Sequence, residues 1–305
     1  MLKITLYIGN ADHTDRPLHI AKMVEKAGLH GVAVGEHVSL GSDLTNYPYA
    51  GGLAHGDAGR KPYLEPAVLN GAIASVTSRI KLSNCIMLAP LRPAVLLAKQ
   101  LTTLDILSNG RCEPCFGTGW SRDEYASLNV DFDKRRQILR DNIAACRALW
   151  ENQPATFHSD TVSFDDLYQM PQPIQPRIKI LLGVKANEKN AALVAELCDG
   201  WETGPDDSAS LEKLREGSKI YRDAFAKAGR DPADLIVRAH LPRFMTDDGS
   251  WFDLEKMFAA VPAMQESGVT EFATGVLGRL EGVFSTMEAI ERYINEVASW
   301  AAKSN

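Results

Sequence analysis

The chain is 305 residues long, 45% hydrophobic and 24% charged, with a formal net charge of −6. These proportions are those of a globular protein, and the length suits an α/β barrel built as one domain over residues 1–305. A negative balance with no Lys/Arg block argues against nucleic acid or a membrane surface as partner, and no apolar run is long enough to span a bilayer.

Short apolar runs alternate with longer amphipathic ones. The pattern predicts a strand at residues 3–8, so near the first methionine that a signal peptide has no room, which points to the cytoplasm. A helix at 17–28 opens on Pro17 and closes on Gly28. A strand at 31–34 runs into Gly35-Glu36-His37, and residues 39–63, rich in Gly, Pro, Asn and Asp, read as a long functional loop. A helix at 66–77, a strand at 80–88, a helix at 93–107, a strand at 111–116 and a helix at 134–150 follow. Residues 156–164 form an excursion with strand character. Strands at 178–182, 200–203, 235–241 and 270–274 then alternate with helices at 187–197, 208–228, 254–266 and 282–302.

Repeated β-then-α units force parallel strands joined by right-handed crossovers. Eight of them close most simply into a (β/α)8 TIM barrel, here with insertions after strand 2 and after strand 4, around 121–133 and 151–177. An open doubly wound sheet is the alternative, but no G-x-G-x-x-G follows the first strand.

Chemistry in such a barrel sits where strands end. Those positions hold Gly9-Asn10, Glu36-His37, Leu88-Ala89-Pro90, Gly117-Thr118-Gly119-Trp120, Gly183-Val184-Lys185, Glu202-Thr203-Gly204, Pro242-Arg243 and Gly275. Glycines at the end of the fourth strand remove Cβ atoms that would keep a flat ligand from the backbone. Nucleophile-elbow serines and metal-spaced His/Asp clusters are missing, so a cofactor is expected to carry the reaction. Cys112-x-x-Cys115 has no second ligand pair for zinc and reads as small side chains on a buried strand; the odd total of five cysteines suggests reduced thiols.

The stretch RIKLSNCIMLAPLRPAVLLAKQLTTLDILSNGRCEPCFGTGWSRDEYASLNVDFDKR resembles the signature region of the bacterial luciferase-like monooxygenase superfamily, most of all its F420-dependent branch. Residues 31–37 are similar to that family's second strand with its acid–histidine pair, and ILLGVKANEKNAALVAELCDGW to its phosphate-binding strand–loop–helix. The resemblance implies a barrel that stacks a flavin or deazaflavin ring in its mouth, with a non-proline cis peptide at Cys85-Ile86 behind the ring. It also implies cofactor contacts at Gly117, Thr118, Gly119, Trp120, Gly183, Val184 and Lys185.

Three positions depart from the family pattern: Val184-Lys185 after Gly183 in place of a second glycine, Glu113-Pro114 in the fourth strand, and Arg135-Arg136 before the next helix. The expected reaction is hydride transfer to or from a small organic substrate with coenzyme F420, or with FMN in a monooxygenase on the same barrel. A ligand-binding barrel without catalysis is a further alternative. His37 is the expected general acid or base, because histidine exchanges protons most readily near neutral pH, with Glu36 at the ring edge or orienting it. Trp120 stands where sugar-phosphate-oxidising members carry a glutamate, so that substrate class is not expected. Helices 66–77 and 93–107 are apolar around most of their circumference, which with the resemblance implies a homodimer.

Overall fold

The computed structural model describes residues 2–8, 16–41, 62–276 and 283–304. Its parallel strands are β1 (Ile4–Ile8), β2 (Gly31–Val34), β3 (Lys81–Asn84), β4 (Met87–Leu88) and β5 (Cys115–Gly117). After an antiparallel hairpin, β6 (Ala155–His158) and β7 (Ser163–Leu167), come β8 (Leu181–Gly183), β9 (Gly200–Glu202), β10 (Ile236–His240) and β11 (Glu271–Val276). The order round the large sheet is β3-β2-β1-β11-β10-β9-β8-β5-β4. β3 and β4 are halves of one strand interrupted at the cis Cys85-Ile86 peptide, so the sheet returns to the stretch of chain where it began. A parallel bridge from Leu82 to Cys112 completes the ring, and the result is the expected (β/α)8 barrel.

The helices outside the ring are α1 (Pro17–Ala27), α2 (Pro66–Val76), α3 (Ala94–Leu107), α4 (Arg122–Ser127) and α5 (Arg135–Glu151). They continue with α6 (Glu188–Leu197), α7 (Pro205–Ser208), α8 (Leu211–Lys227), α9 (Leu254–Ala259), α10 (Val261–Glu266) and α11 (Met287–Lys303). α1 has Pro17 in its first turn and ends on Gly28 in the left-handed region at φ 79°, as the sequence pattern predicts. The helix expected at 208–228 is divided: Ser210 caps a new start by accepting from Lys213 N–H. The helix expected at 254–266 breaks at Ala260, two residues before Pro262, which has no N–H to continue the ladder.

Strand registers identify the residues that point into the barrel, because side chains alternate between faces. Tyr7 pairs with Ala33 and Gly275, Ala33 with Ser83, Arg238 with Glu202 and Glu271, and His240 with Ala273. Glu113, bonded to Arg238, and Cys115, two positions later, complete an interior with two unlike bands. The lower band holds Ser83, Glu113, Glu202, Arg238 and Glu271; the upper holds Tyr7, Ala33, Cys85, Cys115, Gly183, His240, Ala273 and Gly275. Outside the ring, a continuous apolar core joins the strands to the helices, with Trp201 stacked on Tyr221 at 5.0 Å between ring centres.

Pro114 is tolerated in this ring for a local reason. Pairing of β5 with β8 begins only at Cys115, opposite Leu181, and Pro114 contributes its carbonyl, which accepts from Leu181 N–H at 2.9 Å. The missing N–H therefore falls just before the ladder starts.

Candidate functional site

The upper band opens into the barrel mouth. Several of its interior positions carry small residues: Ala33 and Ala273 pack around Tyr7, with Cys85 beside them. Burial pushes the Cys85 thiol up to about 12, so it is a neutral wall and no nucleophile. The flanking glycines have a role within the protein. A Cβ on Gly117 would lie 1.9 Å from Ile86 Cδ1, and one on Gly183 2.6 Å from Ile86 Cγ2. Their bareness seats the Ile86 side chain, and through it the interrupted strand. Gly119 is left-handed at φ 65°, and the Thr118 carbonyl before it accepts from the Tyr125 hydroxyl.

His37, beyond the end of β2, is almost enclosed, its side chain 12% exposed. Its Nδ1 lies 3.1 Å from Glu124 Oε2, and Glu124 Oε1 accepts from Val38 N–H at 2.5 Å. Glu124 is fully buried. The carboxylate thus engages Nδ1, and Nε2 is the nitrogen left to face a ligand. Trp120 and Tyr63 meet the imidazole edge-on, with ring centres 5.6 and 4.9 Å away. Three residues from two segments, Tyr63 and the stretch from Trp120 to Glu124, thus surround the imidazole.

Glu36 does not orient this histidine. Its carboxylate accepts from Leu88 N–H at 2.6 Å and from Arg92 at 3.0 and 2.5 Å, and Arg92 also holds Glu65 at 2.6 Å. Glu36 therefore ties β2 to β4 and to the entry of α3. The orienting partner, Glu124, lies in α4, within a stretch read only as an insertion. A signal was present: Ser121 and Glu124 have the S-x-x-E spacing of a helix start, and Ser121 Oγ accepts from Glu124 N–H at 3.3 Å.

Beyond β8, Val184 O accepts from Trp201 Nε1 at 2.8 Å, which pins the loop. Lys185 is exposed and has no ion-pair partner among the described residues, while Asn187 caps the start of α6. The lysine thus stands at a helix N-terminus, where an anion would find both charge and unpaired backbone N–H groups. Of the remaining departures, Glu113 belongs to the lower band, and Arg135 folds over the Phe132 ring at 3.8 Å. Asp199, before Trp201, accepts from Arg147, Arg177 and Arg230 and from Ile180 N–H, so this carboxylate is structural. Gly9, Asn10 and most of the loop at 39–63 lie outside the described residues.

Below the mouth, Arg238 is fully buried and bonds to Glu113, to Glu202 at 3.4 Å, to Glu271 at 2.8 Å and to Ser83 Oγ at 3.1 Å. Tyr7 donates its hydroxyl across the barrel to Glu202. Burial pushes Glu202 up to about 8, because one guanidinium cannot neutralise three carboxylates. His30, Glu113 and Glu271 bring ligand atoms within 4.8 Å of one another, but Arg238 already supplies the positive charge there. Cys112 and Cys115 are buried free thiols on either side of Glu113 and Pro114.

The chain belongs to the luciferase-like monooxygenase family, whose model matches residues 6–251. Among its relatives is the uncharacterized protein Rv0953c of Mycobacterium tuberculosis, 34% identical over 233 residues, covering 76% of this chain and 81% of that one. The fold is similar to that of the monooxygenase RslO1 from Streptomyces bottropensis, with a TM-score of 0.80 at 18% identity and 99% of each chain covered. It is also similar to an F420-dependent secondary alcohol dehydrogenase in complex with an F420-acetone adduct, with a TM-score of 0.77 at 17% identity, covering 98% of this chain and 99% of that one. The protein is an enzyme of this oxidoreductase and monooxygenase family. No described helix is long and apolar enough to cross a membrane.

Proposed function

We propose that this enzyme is an F420-dependent oxidoreductase that moves a hydride to or from a small organic substrate in the barrel mouth. The observation that carries the proposal is the enclosed His37–Glu124 pair beside Trp120, next to an interior band small enough to admit a flat ring. Cys85 and Ile86 would back the ring, Gly117 to Trp120 would border it, and Gly183 to Lys185 would hold the anionic tail. When bound, the deazaflavin supplies the hydride acceptor or donor. His37 exchanges the substrate's proton through Nε2, and Glu124 fixes the tautomer and steadies the imidazolium. Trp120 and Tyr63 limit water around the histidine and offer an apolar wall to the substrate.

FMN is the second reading, supported by the FMNH(2)-dependent dimethylsulfone monooxygenase of Pseudomonas fluorescens, 32% identical over 113 residues that make up 36% of this chain and 31% of that one. Parallel binding titrations with F420, FMN and FAD test the choice. Tight binding of F420 alone supports the proposal, a preference for FMN replaces it with the monooxygenase, and binding of none leaves a barrel without a redox cofactor. Association of two copies through α2 and α3 belongs to the same reading. Val68 is 73% exposed, Leu96 50% and Leu107 64%, an apolar surface on neighbouring helices that water covers poorly. Light scattering that gives the mass of one 33.4 kDa chain at micromolar concentration would remove the dimer.

A further inference from the structure

Arg243, three residues beyond His240, is the cation whose surroundings in the mouth are least accounted for. Its Nη2 donates to Gly275 O at 2.9 Å, at the top of β11 beside Tyr7, and no carboxylate pairs with it among the described residues. Several less exposed arginines are committed. Arg92, Arg147, Arg230 and Arg238 each hold carboxylates, and Arg111 spends its N–H groups on Ser108, Ala74, Thr77 and Ile80. Arg243 is exposed at the rim, a cation held by one backbone carbonyl and left without a counter-charge among the described residues. His240 points into the same space, its ring edge-on to Tyr7 at 4.9 Å, and neither ring nitrogen is bonded to a described residue. Burial and the neighbouring Arg243 charge hold His240 down to about 4, so at neutral pH it is an uncharged imidazole with an N–H to donate.

We propose that Arg243 and His240 form an anion-recognition subsite in the barrel mouth, which selects substrates bearing a carboxylate or similar oxyanion. The planar guanidinium matches two oxygens at once, and the imidazole N–H supplies a third donor from the barrel wall. The inference rests on the mouth being the substrate site. The same chemistry could hold the cofactor's anionic tail instead, and the experiment separates the two.

Full-length protein labelled at histidine is titrated with acetate and with inorganic phosphate while the His240 resonance, assigned by its loss in His240→Gln, is followed. The expected result is a saturable shift, with the His240 pKa rising from about 4 as the anion binds beside it. Arg243→Met should weaken the anion at least tenfold, and Arg243→Lys should recover part of the loss. Circular dichroism confirms that each variant folds. F420 and FMN titrations on wild type and Arg243→Met form the second arm. Unchanged cofactor affinity with weakened anion binding supports the substrate subsite, and a tenfold loss of cofactor affinity reassigns Arg243 to the tail and overturns it. A His240 signal indifferent to both anions in folded protein also overturns it. If neither cofactor binds but the anion response and its Arg243 dependence persist, the subsite stands and the proposed reaction falls.

Discussion

The two bands of the barrel interior differ in make-up and treat their polar groups oppositely. In the lower band Arg238 carries three glutamates and a serine, and Tyr7 closes the network from above, so nearly every donor has a partner. In the mouth the partners stop short among the described residues: His37 has one nitrogen engaged, His240 has neither, and Arg243 has a lone carbonyl. Charged groups in the lower band are bought at a cost in desolvation and settled among themselves, which fixes the shape of the barrel. Groups in the mouth are positioned and left incomplete, which is the condition for binding something else.

The largest effect is expected where the mouth's chemistry is removed. His37→Ala should lower turnover by roughly 10²–10⁴ while cofactor affinity changes little. Stopped-flow turnover and a cofactor titration check this, and a joint fall in both would make His37 a binding residue. Glu124→Gln keeps the size of the partner but cannot stabilise the imidazolium, so it should reduce turnover less and shift its pH profile.

The lower band should fail differently. Arg238→Met strands three buried carboxylates and should cost about 3–5 kcal/mol of folding stability, read by urea denaturation. A variant of near wild-type stability would show that the band is wetter than its burial implies.

A subtler difference appears with pH. Glu202 is raised from 4.5 to about 8 in the folded chain, so between those values the unfolded chain has lost a proton that the folded chain keeps, and stability falls as pH rises. His240, lowered from 6.5 to about 4, acts in the opposite sense, with stability rising as pH climbs through that range. From about 6.5 to 8 the glutamate acts without that offset, and Glu202→Gln should flatten the decline of stability there. Denaturation midpoints at half-unit pH steps measure it, and an unchanged slope would remove the buried proton from the network.

The smallest effect belongs to the exposed edge of the mouth. Lys185→Glu should weaken F420 binding by about tenfold, on the order of 1.4 kcal/mol for one reversed contact. An unaltered dissociation constant would move the anionic tail away from the start of α6.

The sequence by itself determined the barrel. Strand β2 and helix α1 are written in local signals, an apolar run between glycine and charge in one case, Pro17 and Gly28 in the other, and such signals act over a few residues. The interruption at Cys85-Ile86 was legible only through family resemblance, since Ser83 to Ile86 reads locally as an ordinary buried strand. Tertiary structure alone decided which acid serves which base. Glu36 is next to His37 in the chain, yet alternation along the backbone turns it to Arg92, 56 residues away. Glu124, 87 residues from His37, reaches the ring because a six-residue helix beyond β5 folds over the mouth. Gly117 and Gly183 follow the same rule: their lack of a side chain is visible in the sequence, but that Ile86 fills the space depends on three strands meeting side by side. Local chemistry writes the elements, and partners across the barrel are set by closure of the ring, which no short stretch of sequence records.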